Sequence, residues 1–278
     1  MSVPRIFLND GHSIPQVGFG VWQVPDDEVA EAVHVALEVG YRHIDTAAIY
    51  GNEEGVGRAL KVTNVPRDEL FVTTKVWNSD QGYDSTRKAL DTSLAKLGLD
   101  HVDLYLIHWP CPEADRYVDT WKAMLELKES GKALSVGVCN FQPAHLQRLI
   151  DETGVAPAIN QIELHPYLQQ DELRAFNEEH GIVTEDWSPL ASGKDVMDDE
   201  TISEIAEAHD VTPAQVILRW HVQLGDVVLP KSVTPERIRS NLDLFDFELS
   251  GEEMAAIAAL DRGMRTGPDP DTFNEGAR

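Results

Sequence analysis

Eight short apolar runs, each set apart from the next by an amphipathic stretch, recur along the 278 residues of this chain. The runs are Val17–Val21, Tyr41–Asp45, Phe71–Lys75, Val102–His108, Ala133–Cys139, Ala158–Glu163, Val183–Trp187 and Val227–Lys231. Strands that alternate with helices pair in parallel, and eight of them close a (β/α)8 TIM barrel, an α/β fold. The intervening segments carry helix signals. In the first, Asp26, Asp27 and Glu28 set negative charge at the positive end of the helix dipole, Val29, Val33, Ala36 and Leu37 share one face, and Gly40 ends the run. The rival architecture, a doubly wound sheet, needs a Gly-x-Gly-x-x-Gly turn, and Gly51, Gly55 and Gly57 lack that spacing.

Both ends of the chain add to this pattern. Arg5–Leu8 and His12–Val17 flank Asn9-Asp10-Gly11, residues that accept the positive φ of a tight turn, so an N-terminal β-hairpin is expected as a lid over one barrel end. Thr212-Pro-Ala-Gln215 and Ser250-Gly-Glu-Glu253 are capping boxes, the second opening an extra C-terminal helix. The tail from Arg262, with its Gly, Pro and Asp, reads as loose and is expected to fold over the barrel mouth. Residues 1–278 are thus expected to form one domain, which at this length buries roughly 75% of the surface of its unfolded chain.

With 48 acidic against 23 basic residues, the net charge of −25 repels nucleic-acid phosphates and anionic lipid, which excludes nucleic-acid and membrane-surface binding. The same excess suits high intracellular salt, where acidic surfaces stay hydrated. No basic stretch followed by an apolar run opens the chain, and no apolar run approaches the ~20 residues of a membrane span. Cys111 and Cys139 are too few for a disulfide framework and too far apart for paired metal ligands. The expectation is a cytoplasmic monomer acting on a small molecule.

Active sites of such barrels gather at the C-terminal ends of the strands, and here those ends are polar. Asp45, Lys75 and His108 each close an apolar run, so their heads converge on the mouth while their stems lie along the barrel wall. Tyr50 lies in the loop after Asp45. An ammonium beside a phenol favours the phenolate and is expected to lower the pKa of Tyr50, while the carboxylate anchors the ammonium. This set suits carbonyl reduction, with Tyr50 as proton donor, His108 as hydrogen-bond donor and a nicotinamide carrying the hydride. Taken singly, an Asp caps a helix, a Lys pairs with it and a His sits satisfied in the wall. Their convergence on successive strand ends is what points to chemistry.

Four stretches then match a family: Gly40–Gly57 (GYRHIDTAAIYGNEEGVG), Val72–Lys75 (VTTK), Asp103–Pro110 (DLYLIHWP) and Leu229–Val233 (LPKSV). They closely resemble the aldo-keto reductases over nearly the whole chain, and within that family the chain is most similar to bacterial 2,5-diketo-D-gluconate reductases. The resemblance implies a catalytic tetrad of Asp45, Tyr50, Lys75 and His108, and reduction of an aldehyde or ketone. The substrate class implied is a sugar-derived dicarbonyl such as 2,5-diketo-D-gluconate, or a small or aromatic aldehyde. It also implies an NADP(H) site formed by Cys139, Asn140, Gln161, Trp187, Ser188, Leu190, Ser192, Lys231, Ser232, Val233, Arg237 and Asn241.

Within that site an aromatic shelf at Trp187 suits planar stacking. Cys139 stands where the family often has serine, and Trp187 where tyrosine or phenylalanine is frequent. Lys231 and Arg237 flank the opening of a helix, where two cations suit an adenosine 2′-phosphate and so favour NADPH over NADH. The resemblance places Trp22, Trp77 and Trp109 at the mouth, where with His108 they would wall an apolar substrate pocket. Two other readings use the same barrel. A metal-dependent hydrolase would group Asp45, His108 and His165 around a metal-bound water, although the first strand has no paired histidines and no metal is expected. A barrel that senses NADP(H) would keep the residues without turnover.

Overall fold

A computed structural model of the chain describes residues 3–193 and 195–277. All eight apolar runs contribute a strand. The hairpin strands β1 (Arg5–Phe7) and β2 (Ser13–Pro15) pair antiparallel. Next come β3 (Phe19–Gly20), β4 (His43–Asp45), β5 (Phe71–Val76), β6 (Val102–Ile107), β7 (Ala133–Cys139), β8 (Ile159–Glu163), β9 (Val183–Trp187) and β10 (Val227–Val228). These eight lie side by side in sequence order and pair in parallel. The ring closes where Val17 bridges Val228, and the Gly20 N–H donates to the Pro230 carbonyl at 3.1 Å.

Five strands are shorter than their apolar runs, β4, β6 and β8 by one or two residues and β3 and β10 by three. β3 keeps only Phe19–Gly20, and β10 ends at Val228. The Leu229 N–H still reaches the Asp186 carbonyl, but Pro230 has no N–H with which to extend the ladder, so Lys231 leaves the sheet.

Helices α1 (Asp26–Val39), α2 (Glu53–Val62), α3 (Tyr83–Leu97), α4 (Tyr117–Glu129), α5 (Pro143–Thr153) and α6 (Asp171–Glu179) each follow one strand. After β9 come α7 (Glu200–His209) and α8 (Pro213–Leu224), and after β10 come α9 (Pro235–Ser240) and α10 (Gly251–Ala258). In α1 the apolar face Val29, Ala32, Val33, Ala36 and Leu37 is buried, and Gly40 ends the helix at φ 117°, where a Cβ would be strained. Both capping boxes form, Thr212 with Gln215 and Ser250 with Glu253.

The hairpin is indeed a lid. Leu8 and Ile14 pack against Phe71, Ile159 and Val227, the first residues of β5, β8 and β10, together with Leu104 and Leu106 inside the barrel. Burying such side chains contributes about 1.5–3 kcal/mol each and seals the floor. The opposite end, where the strands finish, is left as the mouth. The tail, expected to be loose, is instead pinned on its way there. The Arg262 guanidinium lies 3.6 Å over the Tyr167 ring, the Met264 N–H donates to the Tyr167 carbonyl, and Arg265 bonds Gln170. Among the described residues no helix is long and apolar enough to cross a membrane, and both cysteines are free and buried.

Candidate active site

At the mouth the structure brings together the four groups expected there. Lys75, fully buried near the end of β5, donates from Nζ to Asp45 Oδ1 at 2.6 Å and to the Thr46 carbonyl at 3.0 Å. The same ammonium lies 3.4 Å from the Tyr50 hydroxyl. His108, just beyond β6, meets the Tyr50 ring edge-to-face at 5.7 Å between centroids, and Trp77 packs on it likewise at 5.1 Å. Its Nδ1 is buried without a partner among the described residues.

Local structure sets Tyr50 in place. After β4 the chain makes a single tight turn over Ala48–Tyr50, closed by Gly51 at φ 69°. Asn52, buried, staples that turn to the wall: its side chain donates to the carbonyls of Val21 and Val24 and accepts from the Thr46 hydroxyl. The sequence offered no sign of this beyond a polar residue after a turn glycine.

Burial decides the charges. It would lower the pKa of Lys75, but Asp45 first and Tyr50 next outweigh it, and the group is held above its ordinary value as an ammonium. Burial raises the pKa of Tyr50, Lys75 opposes, and Asp45 adds to the rise; the net direction is upward. The expected lowering of the Tyr50 pKa is therefore overturned, because desolvating a phenolate costs more than an ammonium at 3.4 Å already bound to a carboxylate returns. His108 is held well below its ordinary value by burial and then by Lys75, so it is neutral.

One wall of the mouth is built from the ends of β7, β8 and β9. Asn140, at φ 65°, donates from its amide to the His108 carbonyl at 3.0 Å and accepts from Trp187 Nε1 at 2.8 Å. Gln161 Nε2 donates to Asp45 Oδ2 at 3.0 Å and to Glu185 Oε2 at 2.8 Å, while its oxygen faces the Cys139 thiol. Beyond Trp187 the chain turns through Ser188, Ala191 and Ser192 at φ 53°, 48° and 59°, with the Ser188 and Ser192 hydroxyls 3.3 Å apart and Leu190 half-buried between them. Lys231, Val233 and Arg237 are exposed. Ser232 is buried and accepts from the Thr234 N–H, and buried Asn241 bonds the Arg237 carbonyl.

The tail completes the mouth. Glu163, at the end of β8, accepts from the Thr266 N–H at 2.6 Å, the Gly267 N–H at 3.1 Å and His165 Nε2 at 3.2 Å. Gly267 lies so close on Trp187 that a Cβ there would fall 2.5 Å from its ring. Further on, Phe273 packs on Trp109 with the rings tilted by 51° and their centroids 4.5 Å apart, and the Glu275 carbonyl accepts from Asn78. Of the three expected wall tryptophans, Trp22 is 51% exposed, Trp77 half-buried and Trp109 only 7% exposed under Phe273. His165 is turned to Glu163 rather than towards Asp45 and His108, and among the described residues no three His, Cys, Asp or Glu are grouped to hold a metal.

Comparison with known proteins agrees with this geometry. The sequence profile of the aldo/keto reductase family matches residues 16–262. An aldo-keto reductase of Mycolicibacterium smegmatis is 59% identical over 271 residues, covering 98% of each chain. Methylglyoxal reductase DkgA of Escherichia coli (strain K12) is 58% identical over 275 residues, covering 98% of this chain and 99% of that one. Among solved structures, a Gox0644 mutant in complex with NADPH superposes with a TM-score of 0.94 at 51% identity, covering 98% of this chain and 99% of that one. By sequence and by fold alike, this chain belongs to the aldo/keto reductase family.

Proposed function

We propose that this chain reduces small aldehydes and ketones with NADPH, dicarbonyls such as methylglyoxal and 2,5-diketo-D-gluconate foremost, as a cytoplasmic monomer. The observation that carries this reading is the buried Lys75 ammonium set between the Asp45 carboxylate at 2.6 Å and the Tyr50 hydroxyl at 3.4 Å, with neutral His108 beside them. The residues present fit the cofactor. Trp187, its indole fixed by Asn140, offers a half-exposed face for the nicotinamide. Gln161 Oε1, engaged only by a weak thiol donor, can accept from a carboxamide.

The turn over Ser188–Ser192 suits the pyrophosphate. Lys231 and Arg237 stand exposed, without a salt bridge among the described residues, where a 2′-phosphate would need them. The nicotinamide, when bound, supplies the hydride. As negative charge builds on the substrate oxygen, neutral His108 donates a hydrogen bond to it and Tyr50 gives up its proton. Lys75 receives the phenolate that remains, and Asp45 holds Lys75 in place. Trp22 and Trp77 would give the substrate side an aromatic wall, with Phe273 lying over the buried Trp109.

NADPH oxidation, followed with methylglyoxal, 2,5-diketo-D-gluconate and aromatic aldehydes, tests the reading, with the dicarbonyls expected to turn over best. NADPH binding without consumption on any carbonyl would favour a sensor. Arg237→Ala is expected to weaken NADPH by about tenfold or more, the worth of a charged hydrogen bond to phosphate, and to leave NADH untouched. Dissociation constants for both cofactors check this; equal losses would deny Arg237 the 2′-phosphate.

A further inference from the structure

Beneath the four groups at the mouth lies a second buried carboxylate that the mechanism above does not use. Glu185, at the centre of β9, is fully buried inside the barrel. Gln161 Nε2 has two hydrogens and spends one on Asp45 Oδ2 and the other on Glu185 Oε2. That double donation fixes the side chain's orientation, so its oxygen is the end left free. Resting on the reading of the chain as an NADPH-dependent reductase, we infer that Glu185 is a positioning residue. Through Gln161 it holds a second negative charge under Asp45 and Lys75, and that charge keeps the proton on Tyr50.

The charge balance follows from what surrounds it. Glu185 faces Asp45 and His43 of β4, Lys75 of β5 and the Cys139 thiol of β7, with Asp186 next to it on β9. His43 Nε2 is 3.8 Å from Glu185 Oε1 but bonds Thr73 at 3.0 Å. Burial first and Lys75 next hold its pKa down at about 3, so it brings no charge. Among the described residues Glu185 Oε1 has no hydrogen-bond partner. Burial, then Asp45, push the Glu185 carboxyl up to about 8, against the pull of Gln161 and Lys75.

As the pH rises through about 8 the interior therefore passes from one carboxylate facing one ammonium to two facing one. The added negative charge favours the Lys75 ammonium and opposes a Tyr50 phenolate. Reduction, which needs the phenol, is carried to higher pH, and alcohol oxidation, which needs the phenolate, is held back.

The test is the pH profile of turnover in both directions for E185Q and E185D. In E185Q the alkaline limb of reduction and the onset of oxidation are both expected to fall by about one pH unit, the effect of one charge several ångströms away through protein. E185D restores the native profile, and NADPH affinity, read by fluorescence titration, stays put. An E185Q profile that overlies the native one overturns the inference. Because E185Q could fail to fold, the native protein labelled with carboxyl-13C glutamate is titrated by NMR without substrate. One glutamate is expected to titrate near pH 8 and so to be charged across the alkaline limb of reduction; a glutamate that stays protonated through that limb overturns the inference whatever the outcome for carbonyl reduction.

Discussion

Tyr50→Phe is expected to lower turnover by roughly a thousandfold, the usual worth of a positioned acid, while NADPH binds as before. Only the hydroxyl is removed. The ring keeps its edge on His108 at 5.7 Å, and Lys75 keeps Asp45 and the Thr46 carbonyl. Since burial holds the Tyr50 proton firmly, the phenol stays protonated at rest and releases its proton only to a stronger base. The alkoxide forming on the substrate is such a base. Saturating kcat together with a fluorescence titration of NADPH reads the two effects apart, and native-like turnover in the variant would move the proton donor elsewhere.

The second large effect is expected at Lys75, where chemistry and stability meet. Lys75→Met keeps the buried stem but leaves Asp45, 3% exposed, with only the Gln161 amide to meet its charge. An uncompensated buried carboxylate costs about 3–5 kcal/mol, which lowers the melting temperature on the order of 10 °C in a domain of this size. Turnover falls with it. Adding Asp45→Asn to Lys75→Met removes the stranded charge, so the double variant should regain most of the melting temperature and none of the activity. A single variant that melts like the native protein would mean that the pair is not held as the 2.6 Å contact implies.

The barrel and its polar rim were legible for one physical reason. Parallel strands carry their ends to a common rim, so Asp45, Lys75 and His108, scattered in sequence, had to meet. The sign of the Tyr50 shift was not legible, because it depends on how much water remains around the phenol, which no pattern of residue types encodes. Glu185 was hidden for a related reason: in Val183–Trp187 (VTEDW) nothing marks which polar residue turns inward. The tail misled through composition. Its Gly, Pro and Asp read as loose, yet Gly267 is held by Glu163, 104 residues earlier, and is itself the contact on Trp187. Order made by distant partners leaves no local trace.

The seam between the first and last barrel strands sets a condition on how the molecule is made. Gln16 bonds the Asp226 carbonyl across 210 residues, and the Val17–Val228 bridge beside it joins the two ends of the sheet. A chain still emerging from the ribosome cannot make that joint, so every shorter nascent form exposes a bare sheet edge, and closure is a late, slow step. Like-charge repulsion among such half-made chains, each bearing part of the net −25, would keep their edges from finding one another.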